Sequence, residues 1–166
     1  VGDSMCGKTS LLVSFATGVF VDNYTPTISD NYSAILTHNG QHTYLSLSDA
    51  TGTHRNNNNN SFPLIRPLLY PNANVILLCY SVVSPSSRES VLSQWLPEIQ
   101  HYCSPDTKVI LVGTKTDLRN HPPTLARLQH HQQLPTTPHM GEQLADYLGG
   151  VKYVECSAMT GVGVRE

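Results

Sequence analysis

Gly2-Asp3-Ser4-Met5-Cys6-Gly7-Lys8-Thr9 satisfies the pattern G-x-x-x-x-G-K-[ST] at every fixed position, and no other stretch constrains the fold of this chain as tightly. Two glycines let a backbone wrap a phosphate without side-chain obstruction, so the amides of Asp3, Ser4, Met5, Cys6 and Gly7 are expected to point inward. A helix opening at Lys8 adds its positive end, with Ser10 in the same first turn. Lys8 can then reach the outer phosphates, and the Thr9 hydroxyl can ligate Mg²⁺. The bland alternative is a strand-to-helix turn that merely contains two glycines. On either reading the segment is a strand–loop–helix unit of an α/β fold.

The motif starts at the second residue, so the strand that normally feeds it is almost absent. At the other end Arg165-Glu166 stand where a helix is about to begin. Both ends are therefore expected to be cut inside a domain. The 166 residues suit one domain with a substantial core. A net charge of −2 gives no electrostatic case for nucleic acid or for an acidic membrane surface. Cys6, Cys79, Cys103 and Cys156 lack metal-type spacing, and two of them lie in apolar runs. They read as reduced core thiols, which favours a cytoplasmic protein. The histidines are scattered and form no metal framework. No signal peptide or membrane span is visible.

Strand-like and helix-like segments alternate along the chain, which favours a mostly parallel sheet flanked by helices. The first helix runs from Lys8 to about Thr17, with Leu11, Leu12 and Phe15 on one side. Residues 32–37 and 44–47 alternate around Asn39-Gly40, a hairpin signal. Residues 75–80 and 109–113 are short apolar runs of the kind buried on both faces. Between them Ser84-Pro85 opens a helix carrying Val91, Trp95 and Ile99, with Pro97 a point of kinking. Thr137-Pro138 opens another, ending near Gly149-Gly150, and residues 152–156 form the last strand. Two segments interrupt this pattern: the asparagine run 56–60, which is low in complexity, and a polar insertion over 118–135 with a short helical centre at Leu125 and Leu128. Neither resembles a linker, so residues 1–166 read as a single domain.

A phosphate loop does not identify the base. Thr114-Lys115-Thr116-Asp117 follows a strand, where its loop would face a nucleotide. A carboxylate at Asp117 can accept paired hydrogen bonds from N1–H and the exocyclic amine of guanine, and adenine has no proton at N1. Cys156-Ser157-Ala158 ends the next strand, where a backbone N–H can meet the guanine oxygen. Asp49 closes the second hairpin strand and can hold Mg²⁺ through water, while the Gly52 N–H can meet the γ-phosphate. Thr27 offers a second hydroxyl to the metal. Each of these could also be an ordinary loop residue; Thr9, Thr27 and Asp49 together make an ordered metal site.

At this point the chain resembles the P-loop NTPases of the Ras superfamily of small GTPases, and within it the Rho family. The resemblance rests on residues 26–32 (Pro-Thr-Ile-Ser-Asp-Asn-Tyr), 66–71 (Arg-Pro-Leu-Leu-Tyr-Pro), 81–87, 95–99, 114–119 and 153–158. It spans nearly the whole chain. It implies a small-GTPase fold, a Rho-type inserted helix at about 119–136, and GTP or GDP with Mg²⁺ as ligands. It implies that Phe20 stacks on the guanine, that Tyr24 closes over the phosphates, and that 23–32 and 49–70 are two switch loops read by effectors. Exchange factors, activating proteins, control of actin and a lipidated C-terminal tail at the cytoplasmic face of membranes are implied in the same way.

The departures from the family pattern fall on catalysis. Hydrolysing members usually carry D-T-A-G-Q, whereas this chain reads Asp49-Ala50-Thr51-Gly52-Thr53. The missing glutamine normally orients the attacking water, and the shorter, branched Thr53 cannot reach as far. Ser4 occupies a position that is glycine in most active members and crowds the space such a glutamine needs. Ser4 with Cys6 resembles the Rnd branch, whose members hydrolyse GTP very poorly. Ser29 replaces an aromatic at an effector-contacting position, a loss worth about 2 kcal/mol or more if it were an anchor. Residues 49–66 are longer than the family pattern. Lys8, Thr27, Gly52 and Thr53 remain the candidate catalytic set, and the leading reading is a switch that binds Mg–GTP with weak or absent hydrolysis. A conventional cycling GTPase helped by an activating protein and a nucleotide-free scaffold are the competing readings.

Overall fold

The computed structural model describes residues 1–22, 29–38, 40–50 and 66–165. The first helix, α1 (Lys8–Thr17), ends where Gly18 adopts the left-handed conformation and its N–H returns to the Ser14 carbonyl. Leu11 and Leu12 face the core as expected, but the third buried position is Ser14 and not Phe15. The Ser14 hydroxyl reaches the Ala158 carbonyl at 3.1 Å, so burial costs it no hydrogen bond. Strands β1 (Ser29–His38) and β2 (Gln41–Ala50) form the antiparallel hairpin. Their register runs from His38↔Gln41 to Ser29↔Ala50, so both strands are longer than the alternation alone marks. Two residues connect them, the commonest loop length in a hairpin.

A second, parallel sheet has the order β3 (Val75–Ser81), β4 (Lys108–Thr114), β5 (Lys152–Glu155). On the β3 edge away from β4, the Cys79 amide donates to the Val1 carbonyl at 2.8 Å and Gly2 bridges Cys79 in parallel. The phosphate-loop segment thus enters alongside the sheet. Both faces of this sheet are covered. Ile76, Leu78, Tyr80 and Leu111 pack with Val91, Trp95, Ile99, Leu128 and Leu144 on one face. Leu77, Cys79, Ile110 and Val112 pack with Cys6, Leu11 and Cys156 on the other. That two-sided burial is why these strands read as unbroken apolar runs.

The helix opened by Ser84-Pro85 is not continuous. It divides into α2 (Pro85–Ser90), a π turn (Val91–Trp95) and α3 (Leu96–Tyr102). Pro97 is the cause: in a regular helix its ring would meet the carbonyl four residues back, at Ser93. The widened turn relieves this, and the Leu96 amide reaches the Val91 carbonyl five residues back. The insertion contains α4 (Pro122–His130), with Leu128 buried. Arg119 ties the start of the insertion down: it donates to the Thr136 carbonyl and pairs with Glu155 of β5 at 2.5 Å. Helix α5 (Pro138–Tyr147) is capped by the Thr137 hydroxyl, which accepts from the Met140 amide. Among the described residues, no helix is long and apolar enough to cross a membrane.

Two predictions follow from this packing. A methyl group on Gly141 of α5 would sit 2.1 Å from Cζ of Tyr153. The ring cannot give way, because its hydroxyl donates to Glu155 at 2.5 Å and shares a 2.9 Å bond with Tyr80. Gly141→Ala should therefore destabilise the protein by about 2 kcal/mol in denaturant titration, overriding the gain of about 0.5–1 kcal/mol that alanine brings to a helix interior. Burial also pushes the thiol of Cys79 up to about 12 and that of Cys156 to about 11, from an ordinary value of 9.0. The stability gained by holding these thiols neutral is complete below pH 9.0 and is lost as pH rises through the folded values. The thermal midpoint should fall between those limits.

Candidate functional site

The phosphate-loop sequence folds into a turn that only its glycines permit. Gly2 has φ +141°, and a side chain there would begin 2.1 Å from the Cys79 carbonyl oxygen. Gly7 has φ +99° and caps α1 with no side-chain hydrogen bond. The N-terminal end of α1 thus carries no side-chain cap from Gly7, and no acidic residue occupies its first turn. Met5 is a third residue of the loop with positive φ, at +62°, with its side chain largely exposed. Lys8 Nζ donates to the carbonyls of Gly2 (3.0 Å) and Asp3 (2.8 Å), which holds the ammonium within the loop. Such a cradle of amides, helix end and ammonium suits an anion of several charges.

Strand β4 delivers the second part of the site directly onto the first. The Thr114 hydroxyl bonds the Cys6 carbonyl and lies 3.0 Å from the Tyr80 carbonyl, while Lys115 Nζ donates to the Met5 carbonyl at 2.7 Å. Lys115 itself stands at φ +61°, and burial lowers the pKa of its ammonium. Asp117 follows in a short 3-10 turn (Thr116–Leu118). Its Oδ1 accepts from the Ser157 hydroxyl at 2.6 Å, and Ser157 Oγ in turn accepts from the Thr160 amide. The Thr116 amide donates to the Cys156 carbonyl. Residues 2–9, 114–117 and 156–158 are thus joined by hydrogen bonds into one platform beside the C-terminal ends of β3, β4 and β5. In open α/β sheets that is where ligands bind.

Asp49, buried at the end of β2, accepts from the Thr9 hydroxyl at 2.5 Å. A hydroxyl and a carboxylate are the oxygen donors a hard divalent cation takes, so this pair fits Mg²⁺. Among the described residues no group of three His, Cys, Asp or Glu could hold a metal ion, and Mg²⁺ commonly keeps water and phosphate oxygens beside one or two protein ligands. Phe20 lies beyond α1 and is exposed. Ser4 and Ser10 sit partly buried in the loop and in the first turn of α1. Tyr24, Thr27, Gly52 and Thr53 lie outside the described residues, as do the asparagine run and most of both expected switch loops.

Some contacts at the site had no sequence signal pointing to them. Trp95 reads as a core residue by its spacing, yet its indole N–H donates to Asp3 Oδ1 at 2.7 Å. Thr114 reads as a base-side residue, yet its hydroxyl ties two backbones together. The only hint was polar: a hydroxyl at the buried end of an apolar run must find partners nearby.

A family model described as "Ras family" matches residues 1–166. Among curated proteins, the chain is 44% identical to "GTP-binding protein RHO1" of Candida albicans, over all of this chain and 80% of that protein. It is 43% identical to the proteins of the same name from Eremothecium gossypii and Saccharomyces cerevisiae, over all of this chain and 77% and 76% of theirs.

Ser157 offers a direct test of the platform. Removing its hydroxyl leaves the Thr160 amide without that acceptor and Asp117 without that donor. Ser157→Ala should cost about 1–3 kcal/mol of stability in denaturant titration.

Proposed function

Because the chain belongs to the Rho family of Ras-like small GTPases, we propose that it is a guanine-nucleotide switch that holds Mg–GTP and hydrolyses it weakly or not at all. The observation that carries the binding half of this reading is the fastening of the 114–117 loop onto the phosphate loop, through Lys115 on Met5 and Thr114 on Cys6. One ligand of fixed length, with phosphates at one end and a base at the other, satisfies both loops at once.

Lys8 stabilises charge on the outer phosphates, and the amides of residues 3–7 and the first turn of α1 hold the rest. Asp117 selects guanine, Phe20 covers the base, and backbone at Ser157-Ala158 meets its oxygen. Thr9, Thr27 and Asp49 hold Mg²⁺, which when bound neutralises phosphate charge. Tyr24 and Gly52 close on the phosphates from the two switch loops, 23–32 and 49–70. Effectors read those loops, and exchange factors and activating proteins act there. A lipidated tail would hold such a switch at the cytoplasmic face of a membrane.

Weak hydrolysis is supported by sequence at two positions. Thr53 stands where the family has its water-orienting glutamine, and Ser4 stands where it has glycine. A protein so built is governed by synthesis, location or exchange more than by turnover.

The test is nucleotide identity followed by single turnover. The purified chain should retain guanine nucleotide, displaced by GTP and not by ATP. Bound GTP should persist with a rate constant below about 3 × 10⁻⁴ s⁻¹, and Ser4→Gly with Thr53→Gln should raise it to that level or above. Faster turnover in the unaltered chain would establish a cycling GTPase instead. Failure to take up any nucleotide would establish a scaffold.

A further inference from the structure

One side chain joins the phosphate loop to residues 66–70. Trp95 is fully buried and is the single tryptophan of the chain. On one side its indole N–H holds the Asp3 carboxylate at 2.7 Å. On the other, the Arg66 guanidinium lies over its ring, 4.7 Å from the centroid. Arg66 pairs with both carboxylate oxygens of Glu98, with Nη2 to Oε2 at 2.7 Å, and the Tyr70 hydroxyl donates to Glu98 Oε1 at 2.6 Å. Trp95 closes the π turn, the one place where the helix departs from regular geometry.

We propose that Trp95 is a positioning residue that couples the phosphate loop to residues 66–70, so that a nucleotide in the loop and the end of the second switch change together. The proposal rests on the nucleotide reading given above. Its physical basis lies in Asp3, whose carboxylate is held by Trp95 and whose main-chain carbonyl accepts from Lys8 at 2.8 Å and from the Cys6 amide at 3.3 Å. A phosphate drawing Lys8 toward itself removes the ammonium from the Asp3 carbonyl and leaves the indole bond as the hold on the Asp3 side chain. That bond sits on a ring whose face carries the Arg66 guanidinium of the largely enclosed Arg66–Glu98 pair. Buried charge pairs transmit such changes because leaving one member unpaired is costly.

The sole tryptophan makes the coupling observable. Its emission should shift when bound GDP is exchanged for a non-hydrolysable GTP analogue, and Asp3→Ala should abolish that shift. Release of radiolabelled GDP, followed by filter binding, should accelerate about tenfold in Trp95→Phe and in Asp3→Ala, and no further in the double variant. Tyr70→Phe reports the far end. Its effect on release should depend on Asp3→Ala by at least about threefold in the chain with Trp95, and become independent of it in the W95F background.

Emission that ignores exchange, or Asp3 and Tyr70 effects that combine independently, would overturn the coupling while leaving the nucleotide switch intact. If the unaltered chain binds neither GDP nor GTP, the switch reading fails and the coupling fails with it. Should Trp95→Phe not fold, the emission response of the unaltered chain and of Asp3→Ala decides the question.

Discussion

The site depends on the end of β4 lying across the phosphate loop. Thr114 is the hinge of that arrangement, since its hydroxyl serves carbonyls of both the loop and β3. A carbonyl in a tight anion-binding loop faces away from the ligand, and once buried it needs a donor from behind. Thr114 and Lys115 supply those donors to Cys6 and Met5. The same contacts that satisfy the backbone therefore fix the distance between the phosphate cradle and Asp117. Geometry that serves folding and geometry that serves recognition are here one set of hydrogen bonds.

Much of this was legible in the chain because it follows from local chemistry. The glycines at 2 and 7 imposed a turn of one shape, and the apolar runs at 75–80 and 109–113 could only be doubly covered strands. The hairpin was marked by two residues whose turn chemistry is nearly unique, although its strands extend beyond the alternating stretch and reach their buried end only at Asp49 and Ala50. What stayed hidden was long-range and polar. Trp95 occupies a helical core position and gives no sign that its nitrogen faces Asp3, ninety-two positions earlier in the chain. Arg66 and Glu98 are charged residues that would ordinarily be placed on the surface, and only tertiary contact shows them paired and largely enclosed. Pro97 signalled a disturbance in the helix, but a kink and a widened turn relieve the same clash, and sequence cannot choose between them.

The polar ties behind the sheet follow a common plan. Arg119, Glu155, Tyr153 and Tyr80 form a chain of hydrogen bonds that runs from the inserted segment across β5 to β3. Like the Arg66–Glu98 pair, it places a cation against a carboxylate and uses tyrosine hydroxyls to fill the remaining acceptor sites. Burial raises the pKa of all three tyrosines involved, Tyr70, Tyr80 and Tyr153, so these hydroxyls act as fixed donors. The insertion is thereby fastened to the body of the domain by directional bonds, with Leu128 as its apolar anchor.

The contact between Gly141 and Tyr153 has a meaning for how this sequence can change over time. The ring fills the space a side chain at 141 would need, and its hydroxyl is committed to two partners. Neither position can drift alone: enlarging the first meets the ring, and shrinking the second opens a void and takes the hydroxyl partner from Tyr80. The two residues thus form a single heritable unit, and a lineage that replaces one must pass through a damaged intermediate or alter both at once.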